Sequence, residues 1–220
     1  MSHAFSSFDK NFGFGFMRLP MIGDEVDIPQ TKQMVDAFLN AGFCYFDTAH
    51  GYISGKSELA IRECLSSRYP RDRYILTNKL SFPYFEKEED IRPLFQQQLD
   101  ACGVEYFDFY LMHALSAARM PHYRQTRAFE IAQELKEEGK IRHIGISSHK
   151  LPIAEEIIAS GLYEVLQFPF CYLASEKDLA IVEACKKADI GFVAMKGLAG
   201  GVLKNAKAAF AYLEQFDHVY

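Results

Sequence analysis

The chain has 220 residues, 49% of them hydrophobic, and a formal net charge of −5. That length and apolar content suit one globular domain over residues 1–220, and charge spread without a basic stripe gives nucleic acid no footprint. No apolar run reaches the roughly 20 residues of a membrane span, and Met1-Ser2-His3-Ala4 lacks the basic and apolar regions of a signal peptide, so the expected location is cytoplasmic.

Apolar, β-branched and aromatic runs of strand length alternate with segments of helical period. The strand-type runs fall at about residues 12–18, 43–49, 73–79, 107–113, 143–148, 165–170 and 191–196. Between the first two, Asp27-Ile28-Pro29 starts a helix whose apolar face is Met34, Val35, Phe38 and Leu39, and Gly42 stops it. The same grammar returns in Ile91, Leu94, Phe95 and Leu99 before Gly103, in Phe129, Ala132 and Leu135 before Gly139, and in Leu179, Val182 and Cys185 before Gly191. Ser175 with Asp178 makes a capping-box start for the last of these. Strands separated by single helices must pair in parallel, so the fold class is α/β.

A closed barrel and an open doubly wound sheet both fit that alternation. Gly13-Phe14-Gly15 has no third glycine where a dinucleotide-binding turn needs one, which weakens the open sheet. Asp47, Lys79, His113 and Ser147-Ser148 close successive apolar strands, and in a barrel such positions converge on the C-terminal face. Each has an ordinary explanation alone: a helix cap, a snorkelling lysine, a hydrogen-bonded core histidine. Together they carry more, because a lysine and an aspartate buried at one barrel mouth must pair. Tyr52 lies five residues after Asp47. An ammonium beside its phenol would stabilise the phenolate and draw its pKa down toward neutrality, making Tyr52 a general acid.

Phe46-Asp47-Thr48-Ala49-His50-Gly51-Tyr52 with Gly55-Lys56-Ser57-Glu58, Thr77-Asn78-Lys79 and Leu111-Met112-His113 resemble the signature of the aldo-keto reductase superfamily. The resemblance runs from about Gly13 to the chain end and implies a (β/α)8 TIM barrel. It implies that NAD(P)H gives a hydride to the carbonyl of an aldehyde or ketone while Tyr52 protonates the oxygen. Lys79 and Asp47 would tune Tyr52, and His113 would orient the carbonyl. Cofactor contacts carried over by the same resemblance are Gly15, Phe16, Met17 and Arg18 on the first strand, Asp47, and Ser147, Ser148 and Gln167 around the carboxamide. Met195, Lys196, Gly197, Leu198, Gly200 and Gly201 would lie along the pyrophosphate, where glycines let backbone N–H groups approach phosphate. Ser148 stands where relatives more usually carry asparagine, and Met195 where many carry an aromatic. The resemblance implies NADP or NAD, with NADPH favoured, and a small carbonyl substrate.

Phe82, Tyr84 and Phe85, after Lys79, are candidates for an apolar substrate wall. The five cysteines, widely spaced and without a Cys-x-x-Cys pair, read as reduced thiols. His50, His122, His143, His149 and His218 have no metal-ligand spacing, so no metal is expected and these histidines are given no site. A barrel of this kind takes about 250 residues. Here a helical segment from Lys204 to Phe216 is followed by Asp217-His218-Val219-Tyr220, so the barrel is expected to stop before or within its eighth strand. The phrasing also resembles a bacterial branch whose longer members add a ferredoxin-like iron–sulfur segment, absent from these residues. Two other readings are a cofactor-binding regulatory subunit without useful turnover and an inactive fragment of a reductase; the sequence does not fix the oligomeric state.

Overall fold

The computed structural model describes residues 3–5 and 10–220. The chain forms two compact units, one made of the described residues from Lys10 to His113 with Pro121–Ile144, the other of Ala114–Met120 and Gly145–Tyr220 with the short turn His3–Phe5. Among the described residues, no helix is long and apolar enough to cross a membrane.

In the first unit, β1 (Gly13–Gly15), β2 (Tyr45–Asp47), β3 (Ile75–Leu80) and β4 (Phe107–Leu115, up to His113) pair in parallel and in chain order. Gly15 faces Asp47, Asp47 faces Thr77, and Lys79 faces Leu111. Helices α1 (Ile28–Asn40), α2 (Lys56–Ile61) and α3 (Glu88–Cys102) connect these strands, and α5 (Ala128–Glu137) follows the short α4 (Met120–Gln125). The two-residue strands Met21–Ile22 and Glu25–Val26 form a small antiparallel pair before α1.

The helix starts follow from local chemistry. Asp27 caps α1 by accepting from the Gln30 N–H at 2.9 Å, and Gly42 ends that stretch at φ +84, where a side chain would be strained. Val35, Phe38 and Leu39 are buried as expected, while Met34 sits on the exposed edge of the stripe. Phe46, Leu76, Phe107, Phe109, Tyr110 and Leu111 are fully enclosed, as parallel strands covered on both faces require. The extended segments are shorter than the apolar runs at β1 and β2, since ladder pairing rather than hydrophobicity sets a strand's ends.

In the other unit, the end of β5 (Ile141–Ser148), β6 (Val165–Pro169) and β7 (Gly191–Met195) are parallel, joined by α6 (Leu151–Ser160) and α7 (Glu176–Lys187). The Ser175–Asp178 capping box opens α7 as the sequence predicts. After α8 (Ala206–Leu213) the chain turns back beside β7: Val219 bridges Phe192 in parallel, and the Tyr220 N–H donates to Phe192 O at 2.9 Å. Those contacts form an isolated parallel bridge on the edge of β7. Phe5 stacks on Tyr220 with centroids 4.1 Å apart and lies against Gly191, where a Cβ would come within 2.1 Å of its ring.

Opposite the strand ends of interest, Asp108 ties the first unit together. It is buried, accepts from the Leu76 N–H at 2.8 Å, from Arg71 at 2.5 Å and from Arg142 at 3.0 Å, while both guanidinium groups stack on Tyr106. Asp108→Ala strands that amide and releases two cations, so urea denaturation should show a loss of about 2–3 kcal/mol. A change within about 0.5 kcal/mol would mean the brace is idle.

Candidate active site

Asp47, Tyr52, Lys79 and His113 all belong to the first unit, three of them on strands β2, β3 and β4 and Tyr52 in the turn after β2. Lys79 is 0% exposed. Its ammonium donates to Asp47 Oδ1 at 2.6 Å and to the Thr48 carbonyl at 2.7 Å, and stands 5.0 Å from the Tyr52 ring centroid. A charge buried this deeply is tolerable only with such partners. Burial works against the Lys79 charge, but Asp47 and Tyr52 more than offset it and hold the pKa above its usual value.

Tyr52 itself corrects the expectation of a lowered phenol pKa. Burial is the largest influence and raises it, Lys79 opposes that through its charge and hydrogen bonding, and Asp47 adds to the rise, so the net direction is upward. The phenol therefore stays protonated at neutral pH, and the cation beside it favours the phenolate that proton donation would create. Beyond Tyr52, Ile53 and Ser54 run left-handed at φ +50 and +54 before Gly55 at +87, a costly turn for a β-branched residue.

The His113 ring meets the Tyr52 ring edge-on with centroids 5.7 Å apart. Its Nδ1 lies 2.6 Å from Ser81 Oγ, and its backbone carbonyl accepts from the Tyr123 hydroxyl at 3.2 Å. Ser81 Oγ also lies 3.5 Å from the Lys79 carbonyl, and which way the Ser81–His113 bond runs follows the tautomer of the ring. Sequence reading missed Ser81, Thr48 and Tyr123; their hydroxyls or carbonyls act only through geometry, and no residue pattern marks them.

The aromatic segment after Lys79 divides. Phe82 and Tyr84 are exposed, and Tyr84 packs edge-on against His50 at 4.7 Å and over Gly51, where an added Cβ would meet its hydroxyl at 2.8 Å. Phe85 is 1% exposed and packs against His122 and Tyr123, so it belongs to the core rather than to a substrate wall.

Of the expected cofactor residues, Gly15, Phe16, Met17 and Arg18 share the first unit with the tetrad. The Phe16 N–H donates to the Asp47 carbonyl at 2.8 Å, Met17 and Arg18 are exposed, and a Cβ at Gly15 would meet open space. The remainder lie in the other unit. Ser147 and Gln167 are register partners on β5 and β6, and Ser147 Oγ accepts from the Ala114 N–H at 2.8 Å. The Ser148 hydroxyl donates to Leu115 O at 2.8 Å and accepts from the Lys150 N–H at 3.1 Å, so it is committed to the backbone. Lys196 is exposed at φ +62 beyond Met195; Gly197 and Leu198 are half-buried, and Gly200 and Gly201 at φ +68 and +96 have open space where a Cβ would stand. Among the described residues no disulfide joins the cysteines; Cys64, Cys102 and Cys185 are buried and Cys44 and Cys171 half-buried. Among the described residues, no cluster of three or more His, Cys, Asp or Glu could hold a metal.

The raised Lys79 and Tyr52 values make a stability prediction. Both folded values exceed the unfolded ones, so their contribution is complete below about pH 10 and is lost as pH rises through the folded values. The urea midpoint should fall above that pH, and less steeply in Tyr52→Phe than in the natural chain. Parallel curves would refute the burial of this phenol.

The model of the aldo/keto reductase family matches residues 11–219. An aldo-keto reductase of Mycobacterium avium (strain 104) is 28% identical over 158 residues, covering 69% of this chain and 51% of the relative. An NADH-specific methylglyoxal reductase of Escherichia coli (strain K12) is 26% identical over 191 residues, covering 77% and 57%. The chain thus spans about half the length of these curated relatives. Two solved structures are similar in fold. The Bacillus halodurans aldo-keto reductase in its holo form has a TM-score of 0.74 at 23% identity, covering 90% of this chain and 67% of the other. The Klebsiella pneumoniae aldo/keto reductase with NADP and acetate has 0.75 at 19%, covering 94% and 78%. The fold is consistent with the expected TIM barrel, with seven parallel strands among the described residues.

Proposed function

The chain belongs to the aldo/keto reductase family, and on that premise we propose that it serves as an NAD(P)H-dependent reductase of an aldehyde or ketone, with Tyr52 as the general acid. The observation that carries the proposal is the fully buried Lys79 ammonium, held by Asp47 and facing the Tyr52 ring.

Tyr52, protonated at neutral pH, gives its proton to the carbonyl oxygen as the carbon is reduced. The phenolate left behind is held by the Lys79 charge until solvent returns a proton. In the tautomer with its proton on Nε2, His113 donates to the same oxygen and orients it, so two donors meet the negative charge as it develops. Asp47 keeps the ammonium in place. Phe82 and Tyr84, exposed beside this group, supply an apolar wall for the substrate.

Within each unit the residues present suit a part of a nicotinamide dinucleotide, which when bound would supply the hydride. Ser147 and Gln167, side by side on β5 and β6, suit a carboxamide, and Asp47 and the exposed stretch from Gly15 to Arg18 suit the edge of the nicotinamide. Lys196 and the open backbone at Gly200 and Gly201 suit a pyrophosphate, with Met195, Gly197 and Leu198 along it. Ser148, occupied by Leu115 and Lys150, has its proton committed to the backbone. A Klebsiella pneumoniae relative was solved with NADP and an Escherichia coli relative is named NADH-specific, so both cofactors are to be tried. The natural location proposed is the cytoplasm, with a small molecule as substrate and neither nucleic acid nor membrane as partner.

The test is turnover of NADPH or NADH with methylglyoxal and a panel of other carbonyls. Tyr52→Phe should lower kcat by about 10²-fold or more, the usual worth of a general acid, while the Kd for the cofactor stays within about twofold. Undiminished kcat in Tyr52→Phe would overturn the acid role. Cofactor binding without turnover by the natural chain would favour a regulatory subunit.

A further inference from the structure

Behind the tetrad, in the same unit, lies a second buried polar group that the reaction itself does not use. Glu58, in the first turn of α2, is 1% exposed. Its Oε1 accepts from Asn78 Nδ2 at 2.8 Å, and its Oε2 lies 2.9 Å from His50 Nδ1. Asn78 is the residue before Lys79, and His50 stands two residues before Tyr52. One carboxylate therefore grips both segments that carry the proton-transfer pair.

The grip continues into the backbone. Asn78 Oδ1 accepts from the Lys79 N–H at 2.8 Å and from Gln98 Nε2 at 3.3 Å; Gln98 Nε2 also donates to the Lys79 carbonyl at 2.9 Å, and Tyr110 donates to Gln98 Oε1 at 2.5 Å. Asn78, Gln98 and Tyr110 are fully buried. A satisfied network of this kind, shut away from water, is rigid, because each lost bond leaves a partner unpaired. On the other side, His50 is partly exposed and carries the Tyr84 ring on its edge.

We propose that Glu58 is a positioning residue for the reduction, fixing Tyr52 against Lys79 through His50 on one side and Asn78 on the other. The inference rests on the reductase reading above. It sets Glu58 apart from a mere helix anchor, because its two oxygens reach the two reacting segments rather than its own helix.

Glu58→Gln keeps the size of the side chain but turns one acceptor into a donor facing a donor. His50→Phe keeps a ring against Tyr84 and removes Nδ1. In the full chain, each should lower kcat by about tenfold, with KM within about twofold and the urea midpoint little changed. The double variant should lose less than the product of the two, as expected for partners in one contact. Hydrogen exchange of the Lys79 amide, read without any substrate, should quicken in Glu58→Gln. Unchanged kcat, a change confined to KM, multiplicative losses in the double variant, or an unchanged Lys79 exchange rate would each overturn the inference. If the natural chain turns over no carbonyl, the reductase reading fails, and the exchange measurement alone then decides for or against the positioning role.

Discussion

A lysine ammonium with no exposure to solvent is the constraint around which the first unit is built. Isolated, it would lose its proton or unfold the chain; here Asp47 and the Thr48 carbonyl receive it at 2.6 and 2.7 Å. Removing one partner of such a pair typically costs about 3–5 kcal/mol, because the charge left behind has nothing to answer it. That need fixes neighbouring parts in turn. Strand β2 must end where Asp47 meets β3, Thr48 must point its carbonyl inward, and its hydroxyl is then free to meet Ser57 at 2.6 Å, which ties α2 to the same corner.

Charge and burial pull Tyr52 in opposite directions, and burial prevails. The outcome suits the proposed proton donor: the acid form persists, and the ammonium stands where it would stabilise the anion left by donation. A group shifted down to neutral pH would spend part of its time ionised and unable to donate. On the proposed acid role of Tyr52, the buried pair would act by stabilising the product of proton transfer rather than by weakening the resting O–H bond.

Much of this was legible from residues alone, and the physical reason is plain for each part. Continuous apolar runs marked the strands and period-3.6 apolar patterns the helices, since both faces of a parallel strand and one face of each helix must be covered. Asp47, Lys79 and His113 stood out because each is polar at the end of an apolar run, and Tyr52 because it follows Asp47 by five residues. What stayed hidden depends on distance between chain segments. Burial of Tyr52 is a tertiary property, so the sign of its pKa shift could not be taken from the neighbouring lysine. Phe82 and Phe85 are the same residue type three positions apart, yet one is exposed and the other enclosed by His122 and Tyr123. His50 offered no metal spacing and was passed over, while its actual partner, Glu58, lies eight residues away and across a left-handed turn. Ser148 looked like a ligand group and is instead held by Leu115 and Lys150.

The claim on which the account turns is that the Lys79 charge holds down the pKa of a phenol that burial pushes up. Titration of Cζ-labelled tyrosines by 13C NMR, with the Tyr52 signal identified by its loss in Tyr52→Phe, measures this directly. The account predicts a Tyr52 midpoint above the ordinary phenol range of about 10, moving further up in Lys79→Met. A midpoint at or below that range, or one that Lys79→Met leaves in place, would contradict it.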